Sequence, residues 1–179
     1  MLALGTRTER LIDALLTLAT GERGIDRREP FDLAELARQA AGPLRADAAA
    51  RGLRLTLRLE PAPAAGDPRL AESLVANLAG NALGHNLPGG WAEVSTGTHG
   101  GQAVLTVRNS GPQVPPDQVE RLFEPFQRLG ASRTGSGQAG GHGLGLAIAR
   151  AIADAHGGQV TAAARPGGGL DVSASLPGR

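Results

Sequence analysis

The sequence predicts an α+β fold, a two-layer sandwich in which helices cover one face of a mixed sheet. Three observations carry this expectation. Residues 53–59, Leu-Arg-Leu-Thr-Leu-Arg-Leu, alternate strictly between apolar and polar, as a half-buried strand does. Residues 91–98 with 102–108, and 160–164 with 170–176, read as two hairpins joined by glycine-containing turns. Between these strands lie segments whose apolar residues recur at helical spacing and therefore bury one face only.

The elements follow in chain order. In residues 7–20, Leu11, Leu15 and Leu18 share a helical face, with Ile12 and Leu16 beside it, and Gly21 ends the run. Residues 1–22 are expected to form one appended helix, and residues 23–30 a charged linker. Asp32 is a plausible cap for a second helix whose apolar face is Leu33, Leu36, Ala37, Ala40 and Leu44. After the strand at 53–59, Asp67-Pro68 supplies a cap and a proline at the first helical position. That helix runs through Leu70, Leu74, Leu78 and Ala82 until Asn86-Leu87-Pro88-Gly89-Gly90 breaks it. The first hairpin follows, then a proline-rich turn and a short helix around residues 118–123. A long polar loop over 127–142 is of a kind that compact domains keep for function or movement. Leu144, Ile148, Ala151, Ile152 and Ala155 then define a helix stopped by Gly157-Gly158, and the second hairpin closes the chain. The domain proper is expected over residues 31–179.

Composition narrows the chemistry. Of 179 residues, 18 are Lys or Arg against 17 Asp or Glu, a net charge of +1, and 41% are apolar, enough for a core. Every one of the 18 basic residues is Arg, so a Walker A lysine and Schiff-base chemistry are excluded. Cys is 0, which removes disulfides, thiolate zinc sites and cysteine nucleophiles. Balanced charge with 2% aromatic residues supplies no basic stripe with stacking platforms, so no nucleic-acid partner is expected. No apolar run approaches the roughly 20 residues of a membrane helix, so no membrane contact is expected within this chain, and a cytoplasmic place is.

Several residues are candidates for chemistry. Asn77 and Asn81 lie four apart on one helix, so they share a face that is otherwise largely apolar. They are either bonded to nearby backbone, or an oxygen ligand for Mg²⁺ beside a phosphate contact. Gly141-His142-Gly143-Leu144-Gly145 opens the helix near Leu144, where glycines admit a ligand and free N–H groups face an anion. With 27 glycines in the chain, the spacing alone is weak and the placement carries the signal. Asn109-Ser110-Gly111-Pro112 ends a strand, as turn chemistry or as a purine-reading amide. Phe123-Glu124-Pro125-Phe126 reads as a small hydrophobic anchor at the base of the loop. Arg128 and Arg133 lie in that loop, either merely solvated or suited to phosphate. His85, His99, His142 and His156 show no ligand spacing.

Together these motifs resemble the catalytic, ATP-binding domain of bacterial sensor histidine kinases, in the superfamily of gyrase and mismatch-repair ATPases with the Bergerat-type fold. The resemblance covers residues 31–177. Asn77-Leu-Ala-Gly-Asn81-Ala is similar to the asparagine box, and Val107-Arg-Asn109-Ser-Gly111 to the first glycine box. Phe123 to Phe126 is similar to the phenylalanine box, and Gly141 to Leu146 to the second glycine box. Residues 7–19 also resemble the second helix of the dimerisation and phosphotransfer hairpin.

The resemblance implies a Mg-ATP site. Asn81 would chelate Mg²⁺ and Asn77 would support the phosphate side. Asn109 would read the adenine amino group, Gly111 would leave room for the base, and His85 would lie near the purine. Arg128 would reach the γ-phosphate, and Arg133 would be among the nucleotide-binding residues. Gly141, His142, Gly143, Leu144 and Gly145 would cradle phosphates beneath a mobile lid over 127–140. Catalysis would rest on Arg128 and Asn81. The partners implied are a histidine phosphotransfer hairpin and, through it, a response regulator. The apolar face of the N-terminal helix would give weak self-association.

This chain departs from the family at three positions, with Asn109 in place of the usual Asp, Gln113 in place of a glycine and Gly84 in place of a basic residue. None of the four His is followed by an acidic residue, so the phosphoacceptor is expected elsewhere and the chain is read as part of a sensor kinase. Two alternatives share the fold: a nucleotide- or partner-binding module without turnover, and a serine kinase of the anti-sigma type. The hairpin-like helix counts against the latter.

Overall fold

The computed structural model describes Ile25, residues 28–127 and residues 143–178. Five strands form the main sheet, in the order β2, β4, β5, β7, β6. These are β2 (Arg54–Leu59), β4 (Trp91–His99), β5 (Gln102–Asn109), β6 (Gln159–Ala164) and β7 (Leu170–Pro177). The β2–β4 pair is parallel and the other three pairs are antiparallel, so the sheet is mixed, as expected.

Three helices cover one face: α1 (Leu33–Ala41), α3 (Pro68–Gly84) and α4 (Gly145–Ala155). Their apolar sides meet the inward residues of the sheet, and Leu33, Leu74, Leu78, Leu105, Ile152 and Leu176 are almost completely buried there. Alternation along β5 sends Ala103, Leu105, Val107 and Asn109 to this covered side. The opposite face is polar. Arg58 bonds Glu93 at 2.7 Å and Arg108 bonds Asp171 at 2.9 Å, a charged row across four strands.

Capping decides where the helices begin. The Asp32 carboxylate accepts from Ala34 N–H at 2.9 Å, and Asp67 accepts from Arg69 and Leu70 N–H at 2.8 and 3.2 Å. Between β4 and β5, Gly100 and Gly101 take φ values of 58° and 78°, which a two-residue hairpin turn requires.

Four expectations need correction. The helix after Asp32 does not reach Leu44, because the chain breaks at Gly42-Pro43 and a separate helix, α2 (Leu44–Ala50), follows. Residues 29–32 and 63–66 form an unexpected antiparallel pair, β1 (Glu29–Asp32) with β3 (Pro63–Gly66). The expected short helix is two 3₁₀ turns, Pro116–Gln118 and Glu120–Phe123. Phe123 is buried beneath the Arg150 guanidinium at 3.7 Å, whereas Phe126 is 63% exposed, so the two rings do not make one anchor. Phe126 takes a φ of 66° and gives its N–H to the Gly143 carbonyl at 3.0 Å. The expected helix at residues 7–20 and most of the loop at 127–142 lie outside the described residues.

Candidate functional site

α3 and α4 pack side by side, and their ends show that they run in opposite directions. A β-carbon on Gly145, the first residue of α4, would lie 3.6 Å from the Asn77 carbonyl and 3.8 Å from Asn81 Cβ. At the other end, His156 after α4 accepts the Asp67 N–H at the start of α3, at 3.2 Å. The amino end of α4 therefore faces the middle of α3, where the two asparagines sit.

The geometry of Asn77 shows the bond to nearby backbone. Its Nδ2 donates to the Ser73 carbonyl at 2.8 Å and to Ser73 Oγ at 3.2 Å, a bond within the helix. Its Oδ1 lies 3.9 Å from the place a Gly145 β-carbon would occupy. The Asn81 side chain is half-buried and has no hydrogen-bond partner among the described residues. Leu144 caps α4 without a side-chain bond, which leaves the first-turn N–H groups to another acceptor. The Asn77 amide oxygen, the Asn81 side chain and the positive end of α4 thus lie close together, residue types that suit an oxyanion and a hard cation.

Asn109, at the end of β5, is 5% exposed. Its Oδ1 accepts from Leu170 N–H at 3.1 Å, and its Nδ2 donates to the carbonyls of His85 at 3.2 Å and Ser110 at 2.9 Å. Gly111 lies against this amide; a β-carbon there would sit 2.7 Å from the His85 carbonyl and 3.1 Å from Asn109 Nδ2. The missing side chain at Gly111 makes room for protein backbone at that point. His85 caps the carboxyl end of α3, and its residue is exposed. Gln113 lies outside this cluster and donates to the Pro166 carbonyl at 3.2 Å.

Sequence reasoning missed a second polar knot beside it. Ser110 Oγ donates to Asn86 Oδ1 at 2.9 Å and accepts from Trp91 N–H at 2.7 Å. Asn86 Nδ2 donates to the Trp91 carbonyl at 2.9 Å, which ties the end of α3 to the start of β4. An Asn directly before a Leu-Pro-Gly-Gly turn was the available signal, since such residues bond local backbone. Gly143 is held by its bond to Phe126 at one margin of the site. Arg128, Arg133, Gly141 and His142 lie outside the described residues.

Residues 66–179 match the family described as "Histidine kinase-, DNA gyrase B-, and HSP90-like ATPase". The chain belongs to that ATPase family. It is 46% identical over 178 residues to sensor protein CutS of Streptomyces coelicolor, covering 99% of this chain and 42% of that protein. It is 37% identical over 177 residues to the signal transduction histidine-protein kinase BaeS of Escherichia coli, covering 97% and 37%. The chain thus spans about two fifths of the length of these relatives. Among solved structures, the mycobacterial sensor histidine kinase MprB superposes with a TM-score of 0.68 at 30% identity, over 85% of this chain and 98% of that one. Full-length ShkA in complex with AMPPNP superposes at 0.77 with 26% identity, over 94% and 35%. These likenesses agree with the mixed sheet and the single helical layer described above.

Proposed function

We propose that this domain binds Mg-ATP and donates the γ-phosphate to a histidine on a phosphotransfer hairpin in two-component signalling. The observation that carries the reading is the meeting of Asn77, Asn81 and the uncapped start of α4 at Gly145. The donor set fits the metal, because Mg²⁺ prefers oxygen ligands and keeps phosphate and water oxygens around it. Asn81 would offer its amide oxygen to the cation and Asn77 Oδ1 would steady the phosphate side. Bound Mg²⁺ supplies charge neutralisation across the phosphates.

The chain's own groups would do the rest by position. The first-turn N–H groups of α4, with Gly141, His142, Gly143 and Leu144, would hold phosphate oxygens. Arg128 would reach the γ-phosphate, Arg133 would be among the nucleotide-binding residues, and the base end would lie toward Asn109, Gly111 and His85. In the transfer, the bond from the γ-phosphorus to its bridging oxygen breaks, a bond to the histidine nitrogen forms, and ADP leaves. Residues 1–22 would be the second helix of the hairpin, 23–30 the linker and 31–179 the catalytic domain. A response regulator would receive the phosphoryl group from the hairpin. Among the described residues no helix is long and apolar enough to cross a membrane, and the reading places the domain on the cytoplasmic side.

Calorimetric titration with ATP, in Mg²⁺ and then with Mg²⁺ chelated, tests the site. Saturable binding that needs Mg²⁺ is expected, lost in Asn81→Ala and kept in Gly84→Ala. Equal losses in both variants would refute the assignment of Asn81.

A further inference from the structure

The amide of Asn109 is oriented by its partners. Leu170 N–H can meet only an acceptor, and the carbonyls of His85 and Ser110 can meet only a donor, so Oδ1 and Nδ2 cannot exchange places. Both Nδ2 protons are taken, and Oδ1 already holds one N–H. The residue is also wedged. An added β-carbon on Gly111 would stand 3.1 Å from Nδ2, and one on Gly169 would overlap the Asn109 carbonyl oxygen.

A carboxylate at the same point would behave differently. One oxygen would still take the Leu170 N–H, but the other would face two carbonyl oxygens with no proton between them. Such an oxygen is a buried acceptor in want of a donor, and an exocyclic amino group would supply one. The neutral amide closes that opening from within. It leaves a base one lone pair on an oxygen already in use, and no proton to spare for a carbonyl.

We propose that Asn109 acts as a neutral clamp joining α3, β5 and β7, and that the site therefore distinguishes 6-amino from 6-oxo purine nucleoside triphosphates only weakly. This inference rests on the Mg-ATP reading above, with the base placed at Asn109. Recognition then depends mainly on the phosphates and on the face of the ring.

ATP and ITP differ only in the purine 6-substituent and the proton on N1 that goes with it, so they are the probes. The full chain is titrated with each in Mg²⁺ by calorimetry, beside Asn109→Asp. Wild-type dissociation constants for ATP and ITP are expected within about fivefold, and Asn109→Asp is expected to widen the preference for ATP by about tenfold, the effect of one charge-assisted bond. A wild-type preference for ATP above about fivefold would overturn the inference while leaving the Mg-ATP reading intact. Binding of neither nucleotide would overturn both. The wild-type ratio decides even if the Asp variant does not fold.

Discussion

Gly66→Ala should destabilise the protein although Gly66 needs no unusual backbone angle, because the space beside it belongs to a buried ring. A β-carbon there would overlap Cδ2 of His156 and stand 2.5 Å from its Nε2. The ring cannot yield easily. It is 0% exposed, its Nδ1 pairs with the Ile152 carbonyl at 2.8 Å, and its Nε2 accepts from Asp67 N–H at 3.2 Å. Overpacking of this kind costs about 1–3 kcal/mol, and straining the Asp67 bond adds about 1. Against this, alanine restricts the unfolded chain and returns about 0.5 kcal/mol, leaving a net loss of about 2. His156→Ala should cost about 3 kcal/mol through its cavity and the stranded Asp67 N–H. The double variant is the discriminating case, since the new methyl would occupy room that the ring vacates. Its loss should be about 3 kcal/mol and not the sum of about 5. Urea unfolding followed by circular dichroism measures all four proteins, and a change of 2 kcal/mol moves the midpoint by about 1 M. Additivity within about 0.5 kcal/mol would refute the steric account.

Three further outcomes follow from single groups. Asp32 Oδ1 accepts from both Ala34 and Ala62 N–H at 2.9 Å, so Asp32→Ala should lower stability by about 2 kcal/mol, read by thermal melting. Gly169 takes a φ of 82° and a β-carbon there would overlap the Asn109 carbonyl oxygen, so Gly169→Ala should cost more than about 3 kcal/mol and weaken ATP binding. Gly167 has nothing within 4 Å of an added β-carbon, and its alanine variant should stay within about 0.5 kcal/mol of the parent in the same melt.

Much of the fold was legible because it is written in local chemistry. Asp32 and Asp67 announce helix starts through side-chain oxygens that reach two or three residues ahead. The 2.0-residue period of β5 needs no distant partner to be read, and it even sorts Asn109 onto the buried side. The pairing of Glu29–Asp32 with Pro63–Gly66 was not legible, since neither stretch alternates and each contains proline. What joins them is the packing between them, including Asp32 reaching Ala62 N–H. The same limit governs the site. Residue types at 77, 81 and 109 are visible in the sequence, but the partners that fix each amide are not. Asn77 bonds a serine one turn back, while Asn109 bonds backbone 24 and 61 positions away. His156 looked like one of several scattered histidines, and only the fold shows it joining the far ends of α3 and α4.

The β5–β7 pairing bears on how the chain reaches its native state. Each hairpin, β4–β5 and β6–β7, joins strands separated by a short turn and so makes contacts that are local in sequence. The register that sets Arg108 opposite Asp171 instead closes a long stretch of chain, and loop closure must precede the contacts that reward it. Leu170 N–H reaches Asn109 only once that register is in place, and Gly145 reaches Asn77 and Asn81 only once the second half has docked on the first. The nucleotide site proposed above would therefore be completed at the end of folding, so ATP added to refolding protein should slow its unfolding far more than it speeds its folding.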